Sequence, residues 1–408
     1  MGIQLTAPHE AGMSAERLAD IDAVMERGIR EKRIGGSVTL VARKGKVVQF
    51  KAYGDADVGK PMQTDAIFRL ASMSKPIGAA AVMRLFDRGL VMPSDPVAMY
   101  IPAFAKMQVA VPVNGGFALA PLKRQITVHD LLTMTSGITS TEKVQYGNAA
   151  TMHCAQLLRD AGIVDCMRPL DMNLEEYVNI AVTVPLAAQP GERWDYANTN
   201  VLTLGRIVEI VSGMPLDEYL KKYIFEPLEM TDACFFPEES KWDRFPVVFA
   251  ENTLEPLRGY DLPGTDDTQL PFSNVRRFFN LAGGLMGTAE DYFHFTQMLL
   301  NGGVYNGERI LSQNAVKLMT TNRIGDMNES FFGNKWGYLM SVQGNNTSPV
   351  LNYMAPGSFT WSGYWGTSFN VWPEKDVTAI FMTQMSTAFA SAKTYERFFN
   401  IVANAVED

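Results

Sequence analysis

Strand-like runs pair off near both ends of this chain. Val38 to Ala42 and Val47 to Tyr53 are rich in β-branched residues and flank Arg43-Lys44-Gly45-Lys46. Near the other end, Phe359 to Trp372 is followed by Pro373-Glu374-Lys375-Asp376 and then Val377 to Met382, a second hairpin with good alternation. Helices accompany both. Ser14 caps one that runs to about Arg30, with Leu18, Ile21, Met25 and Ile29 on one face; Tyr395, Phe398, Phe399 and Val402 share a face of the last. These elements imply one antiparallel sheet built from both chain ends and flanked by helices, an α/β (α+β) architecture. Residues 1–75 and 283–408 would form the sheet domain and 76–282 a mostly helical insertion, with the active cleft between them.

The middle of the chain is less regular. Leu90 to Gly137 reads as helical pieces broken by Pro and Gly, including a capped short helix over Ile126 to Leu132. Residues 138–170 have no clear period and read as a binding loop. Leu174 to Val182 reads as a helix with Tyr177 in the core. Pro190-Gly191-Glu192-Arg193-Trp194-Asp195-Tyr196-Ala197-Asn198 then leads into a helix with Val201, Leu204, Gly205, Val208 and Val211 on one face, ended by Gly213. Residues 232–282 carry Phe235, Phe236, Trp242, Phe245, Phe249 and Phe272, and read either as a pocket wall or as ordinary loop packing. Gly283 to Asp291 opens an apolar helix ending near Leu300, with Thr288 as its N-cap.

Chemistry enters at Phe68-Arg69-Leu70-Ala71-Ser72-Met73-Ser74-Lys75-Pro76. If a helix begins at or just before Ser72, the Ser72 and Lys75 side chains share a face. A helix start also offers unpaired N–H groups and partial positive charge, which suit an alkoxide or oxyanion. Ser at a helix start is also a common cap. Ser-x-x-Lys arises by chance about once or twice in a chain of this length, and Ser140-Thr141-Glu142-Lys143 repeats it in a polar stretch. Tyr-x-Asn occurs at Tyr146, Tyr177 and Tyr196. Only Tyr196 stands between a Pro-Gly turn and a strong helix.

Composition removes several alternatives. With 408 residues and 47% hydrophobic content, the chain can bury a large core. A net charge of -8 without a basic cluster argues against nucleic acid. No apolar run approaches a membrane span, and the N-terminus has no signal-peptide pattern, so a cytoplasmic location is expected. Cys154, Cys166 and Cys234 lack metal-type spacing and fit reduced thiols. The four histidines are scattered singly, so neither zinc nor a histidine base has support, and no metal or cofactor is expected.

In this order, three elements resemble those of the serine β-lactamase and penicillin-binding-protein superfamily, closest to its class C β-lactamase-like branch with family VIII carboxylesterases and related acyltransferases. Ser72-Met73-Ser74-Lys75 looks like the Ser-x-x-Lys element, Tyr196-Ala197-Asn198 like Tyr-x-Asn, and Trp361-Ser362-Gly363 like the third, strand-borne element. The likeness extends to Leu131-Leu132-Thr133-Met134-Thr135-Ser136-Gly137, Pro190-Gly191 and Gly283-Gly284-Leu285.

The resemblance implies a β-lactamase-like fold and acyl transfer through acyl-Ser72, with Lys75 and Tyr196 sharing the proton. It implies that Asn198 holds Lys75 or a substrate polar group. The backbone N–H groups of Ser72 and Tyr364 would form the oxyanion site, Gly363 would let the backbone approach, and Trp361 would be a pocket wall or strand-face packing. β-Lactamases usually carry Lys-Thr-Gly or Lys-Ser-Gly as the third element. Trp361 removes that cation, which suits a small-molecule ester or acyl substrate better than an anionic β-lactam. Ser362 stands where the esterase branch has its first Gly. Hydrolysis of small carboxylic esters is the expected activity, with acyl transfer to an alcohol or amine, β-lactamase or D,D-peptidase action, or binding without catalysis as alternatives.

Overall fold

The structure is a computed structural model that describes residues 3–114, 116–145, 148–163, 170–257, 276–327, 334–344 and 354–407. Its organising element is an antiparallel sheet of eight strands. In chain order these are β1 (Gly36–Arg43), β2 (Lys46–Asp57), β3 (Lys60–Pro61), β4 (Lys335–Trp336), β5 (Ser341–Val342), β6 (Phe359–Ser362), β7 (Ser368–Trp372) and β8 (Val377–Thr383). Their spatial order is β4-β5-β6-β7-β8-β1-β2-β3.

The two chain ends meet in the centre. β1 pairs with β8 through Val38↔Met382 and Leu40↔Ile380, and with β2 across a turn whose Lys44 and Gly45 both have positive φ. That turn closes the first hairpin as expected. The second hairpin is also present, β7 pairing with β8 across Pro373–Asp376, but its first arm is corrected: Phe359 to Trp372 is two strands, because Gly363 N–H bonds Thr367 O at 2.8 Å and Gly366 turns with φ 93°.

Every residue of β1 is buried, since both sheet faces are covered. On one face lie α1 (Ala15–Arg30) and a C-terminal helix (Ala388–Asn404), whose Leu18, Ile21, Met25, Phe398 and Phe399 meet Val41, Ala379 and Phe381. On the other, Val38, Leu40, Ile380 and Met382 join the larger core, which contains α2 (Ser74–Asp87), α3 (Asn198–Ser212) and α4 (Ala289–Leu300). Ser14 and Thr288 cap α1 and α4 as expected, Thr288 in a capping box with Asp291.

Two expectations for the middle fail. Gln108–Val113 and Gly116–Pro121 form a β-hairpin where helical pieces were expected. Pro112 and Pro121 hide its alternation. The stretch read as an irregular loop contains a helix, Ala149–Asp160, capped by Asn148. Its buried face is Ala150, Thr151, Cys154, Ala155 and Leu158, too small and polar to give a strong periodic signal.

Candidate active site

Ser72 lies in a tight turn, Ala71–Met73, that runs directly into α2. Pro76 falls in the first turn of α2, where its missing N–H costs nothing. Ala71 has φ 46°, an unfavourable value for a residue with a Cβ, immediately before Ser72. Several contacts hold the turn. Leu70 N–H bonds Leu285 O at 2.9 Å, Tyr292 OH donates to Met73 O at 2.9 Å, and Leu285 N–H donates to Ser74 Oγ at 3.1 Å. Burial pushes the Tyr292 phenol well above its ordinary range, so it stays a neutral donor.

Lys75 is fully buried on α2. Its Nζ donates to Ser72 Oγ at 2.9 Å and to Ala282 O at 2.6 Å, and lies 4.8 Å from the centre of the Tyr196 ring. Buried ammonium requires such partners. Gly78 lets the 280–282 turn approach: a Cβ there would sit 2.9 Å from the Leu281 side chain, one residue before the carbonyl that receives Lys75.

Tyr196 reaches the same oxygen from the other side, its OH donating to Ser72 Oγ at 2.9 Å. Its loop is stitched to Leu131–Gly137. Asp195 N–H bonds Met134 O at 2.8 Å, Gly191 N–H bonds Thr135 O at 2.7 Å, and Ser136 Oγ donates to Asn200 at 2.6 Å. Asn198 is the first residue of α3, half-buried two positions after Tyr196. The second Ser-x-x-Lys has another job: Lys143 forms an ion pair with buried Asp195, which also meets Arg193 at 3.3 Å. Tyr177 is core, bonded to Thr199 at 2.9 Å, and Tyr146 lies outside the described residues.

Trp361 is 8% exposed on β6, its ring 5.6 Å from Tyr196 and 4.6 Å from Trp336. It packs an uncharged ring against Tyr196. Half-buried Ser362 ends β6, and Gly363 backs directly onto the Leu70 carbonyl, to which Thr367 Oγ1 also donates at 3.2 Å. Tyr364, 44% exposed, follows with its ring against Trp365. The third element is thus anchored to the turn that carries Ser72. This arrangement offers a hydroxyl between two proton-exchanging groups, beside a helix start.

A beta-lactamase family profile matches residues 21–399. The chain belongs to the beta-lactamase family. Within this family it is 30% identical over 379 residues to an uncharacterized protein of Mycobacterium tuberculosis, spanning 90% of this chain and 88% of that one. It is 32% identical over 290 residues to esterase EstB of Burkholderia gladioli, 68% of this chain and 69% of that one. Among solved structures, EstCE1, a hydrolase with promiscuous acyltransferase activity, superposes with TM-score 0.77 at 23% identity, over 96% of this chain and 99% of that one. Simvastatin synthase LovD of Aspergillus terreus superposes with TM-score 0.75 at 18% identity, over 96% and 98%. At such identity the structural likeness is one of fold, and it agrees with the β-lactamase-like α/β architecture built on a large antiparallel sheet.

Within this beta-lactamase fold, the remaining reactive side chains lie elsewhere. His129 meets Tyr338 OH at 3.2 Å, His294 meets Leu228 O at 2.9 Å, His153 stacks on Phe117, and His9 is exposed. Burial raises the Cys154 thiol to about 11 and Cys234 to about 12, so neither is a ready nucleophile; Cys166 lies outside the described residues. No metal-binding cluster and no helix long and apolar enough to cross a membrane occur among the described residues.

In 232–282, Phe235 and Phe236 line a cavity of about 710 Å³ with Phe279, and Ser72 is not among its lining residues. Phe245 lies beneath the Arg69 guanidinium, Phe249 is core, and Trp242 bonds Pro237 O at 3.5 Å. Phe272 is outside the described residues. Sequence reasoning missed Ala282, Ser74, Tyr292, Thr367 and Trp336. The first acts through its carbonyl, which carries no residue signature.

Proposed function

We propose that this protein is a serine carboxylesterase that cleaves small neutral esters through a covalent acyl-Ser72. The observation that carries this reading is Ser72 Oγ lying 2.9 Å from both Lys75 Nζ and Tyr196 OH. The esterase among its relatives supports ester hydrolysis. Trp361, in place of a cation, supports a substrate without a carboxylate.

Lys75 and Tyr196 both donate to Ser72 Oγ. Removal of one proton from this pair turns one donor into an acceptor for the Ser72 hydroxyl, and the coupled pair acts as general base. Ser72 Oγ then attacks the ester carbonyl carbon while its proton passes to the pair. The oxyanion is held by the N–H groups of Ser72 and Tyr364. Collapse breaks the C–O bond to the alcohol, which takes the proton. Water attacks the acyl carbon in the same way, giving the acid and restoring Ser72. Asn198 orients Lys75 or a polar group of the substrate.

A structural neighbour that is a hydrolase with promiscuous acyltransferase activity supports a second reading: an alcohol takes the acyl group in place of water. The test is turnover of p-nitrophenyl acetate, butyrate and octanoate beside nitrocefin, by the native protein and Ser72→Ala. Ester turnover lost in Ser72→Ala, with nitrocefin slow, is expected; added alcohol that converts product acid into ester would mark acyl transfer. Rapid nitrocefin turnover with inert esters would overturn the esterase reading.

A further inference from the structure

Trp336 is wholly buried, yet no polar partner explains it: its indole Nε1 has no hydrogen-bond partner among the described residues. Leaving a buried donor unpaired is unfavourable. What Trp336 has instead is rings. It stands edge-to-face with Trp361 (centroids 4.6 Å apart, planes at 83°), with Trp194 (5.3 Å, 66°) and with Tyr196 (6.2 Å, 88°). Trp194 and Trp361 also touch Tyr196, at 6.0 and 5.6 Å. Trp336 therefore touches Tyr196 and also Trp194 and Trp361, which pack on that ring.

Its backbone is held as firmly. β4 pairs Trp336 with Ser341, Trp336 O accepts from Arg323 N–H at 2.8 Å, and Tyr338 N–H bonds Met319 O at 3.0 Å. Leu339 N–H bonds Leu132 O at 3.0 Å. That bond joins the β4–β5 hairpin to the same Leu131–Gly137 segment that anchors the Tyr196 loop. The wall and the ring it supports thus share one reference.

We propose that Trp336 is the positioning residue of the general base: it clamps the Tyr196 ring, directly and through Trp361, so that the phenol oxygen stays within hydrogen-bond reach of Ser72. A tyrosine ring turns on two side-chain torsions, and aromatic edge-to-face contacts fix both at low cost. This inference rests on Ser72 being the activated nucleophile and assigns Trp336 a role exercised through the Tyr196 ring.

The test compares Trp336→Leu, Trp336→Phe and Trp372→Phe with the native protein. Trp372 is another fully buried tryptophan, packed against Phe399 on the opposite sheet face, and controls for lost core volume. Two rates are read against pH: labelling of Ser72 by a fluorophosphonate, which needs only an activated serine, and kcat/KM for p-nitrophenyl butyrate. In Trp336→Leu both fall roughly 10- to 100-fold, the penalty of a misplacement of about 1 Å, and the pH of half-maximal rate moves; Trp336→Phe recovers most of the loss. Trp372→Phe lowers Tm without moving the pH profile. Native-like rates and profile in Trp336→Leu would overturn the inference, as would a loss that follows Tm and is not rescued by Phe. Native protein that labels but turns over no ester would end the esterase reading and leave labelling to decide the role of Trp336.

Discussion

A Cβ on Gly363 would overlap the carbonyl oxygen of Leu70. The end of β6 and the turn that carries Ser72 are therefore in backbone contact, with Thr367 Oγ1 bonded to the same carbonyl. In the proposed mechanism, this contact sets the distance between the N–H groups that hold the oxyanion. Gly363→Ala forces the two apart and is expected to lower kcat/KM for esters by roughly 10²–10³-fold, the scale of one lost oxyanion donor. Steady-state kinetics beside a thermal melt checks this. An unimpaired Gly363→Ala enzyme would remove Tyr364 N–H from the mechanism.

On the proposed reading, Trp361 fills the place of a cation beside Tyr196. Trp361→Lys restores a charge for an anionic substrate at some cost in stability, since the site is buried. The expected outcome is slower p-nitrophenyl butyrate turnover and faster acylation by nitrocefin, measured as the ratio of their kcat/KM values. An unchanged ratio would show that residue 361 does not set this choice.

The two Ser-x-x-Lys copies separate cleanly. Ser140→Ala should keep ester turnover within about twofold, because its lysine serves the fold. Lys143→Met leaves buried Asp195 with Arg193 alone. Lys143 is partly exposed, so the cost should be roughly 1–3 kcal/mol, below the ~3–5 of a wholly buried pair. Urea unfolding of both variants measures it. Loss of activity in Ser140→Ala with retained stability would contradict the assignment.

Much of this was legible locally. The hairpin at Lys44-Gly45, the caps Ser14 and Thr288, and the Pro-Gly approach to Tyr196 each rest on neighbours in sequence, and each appears where expected. The three-element resemblance then brought Ser72, Lys75 and Tyr196 to one oxygen atom. What escaped is non-local or chemically quiet. Trp336 sits on a two-residue strand, too short for a period, and acquires its meaning only beside Trp194, Tyr196 and Trp361. The Ala149–Asp160 helix buries alanines, a threonine and a cysteine, and the Gln108–Pro121 hairpin is interrupted by prolines.

Stability should carry a signature of Asp291. Burial lifts its carboxyl from 3.8 to about 6, against hydrogen bonds from Thr288 N–H at 2.9 Å and Asp232 N–H at 3.4 Å and with the Asp232 charge nearby. The folded state thus holds the extra proton between about pH 4 and 6, so stability falls as pH rises through that window and levels above it. Relative to Asp291→Asn, the native protein should lose roughly 1–3 kcal/mol from pH 4 to 6. Urea midpoints at each pH test this; a native protein that gains stability relative to the variant would reverse the sign.

The most direct measurement is mass spectrometry of enzyme quenched in acid during turnover of p-nitrophenyl butyrate, followed by peptide mapping. A butyryl group on the peptide at Ser72, absent in Ser72→Ala and formed more slowly in Tyr196→Phe, is the expected result. Turnover without any acyl adduct, or an adduct on Ser140, would contradict a covalent acyl-Ser72.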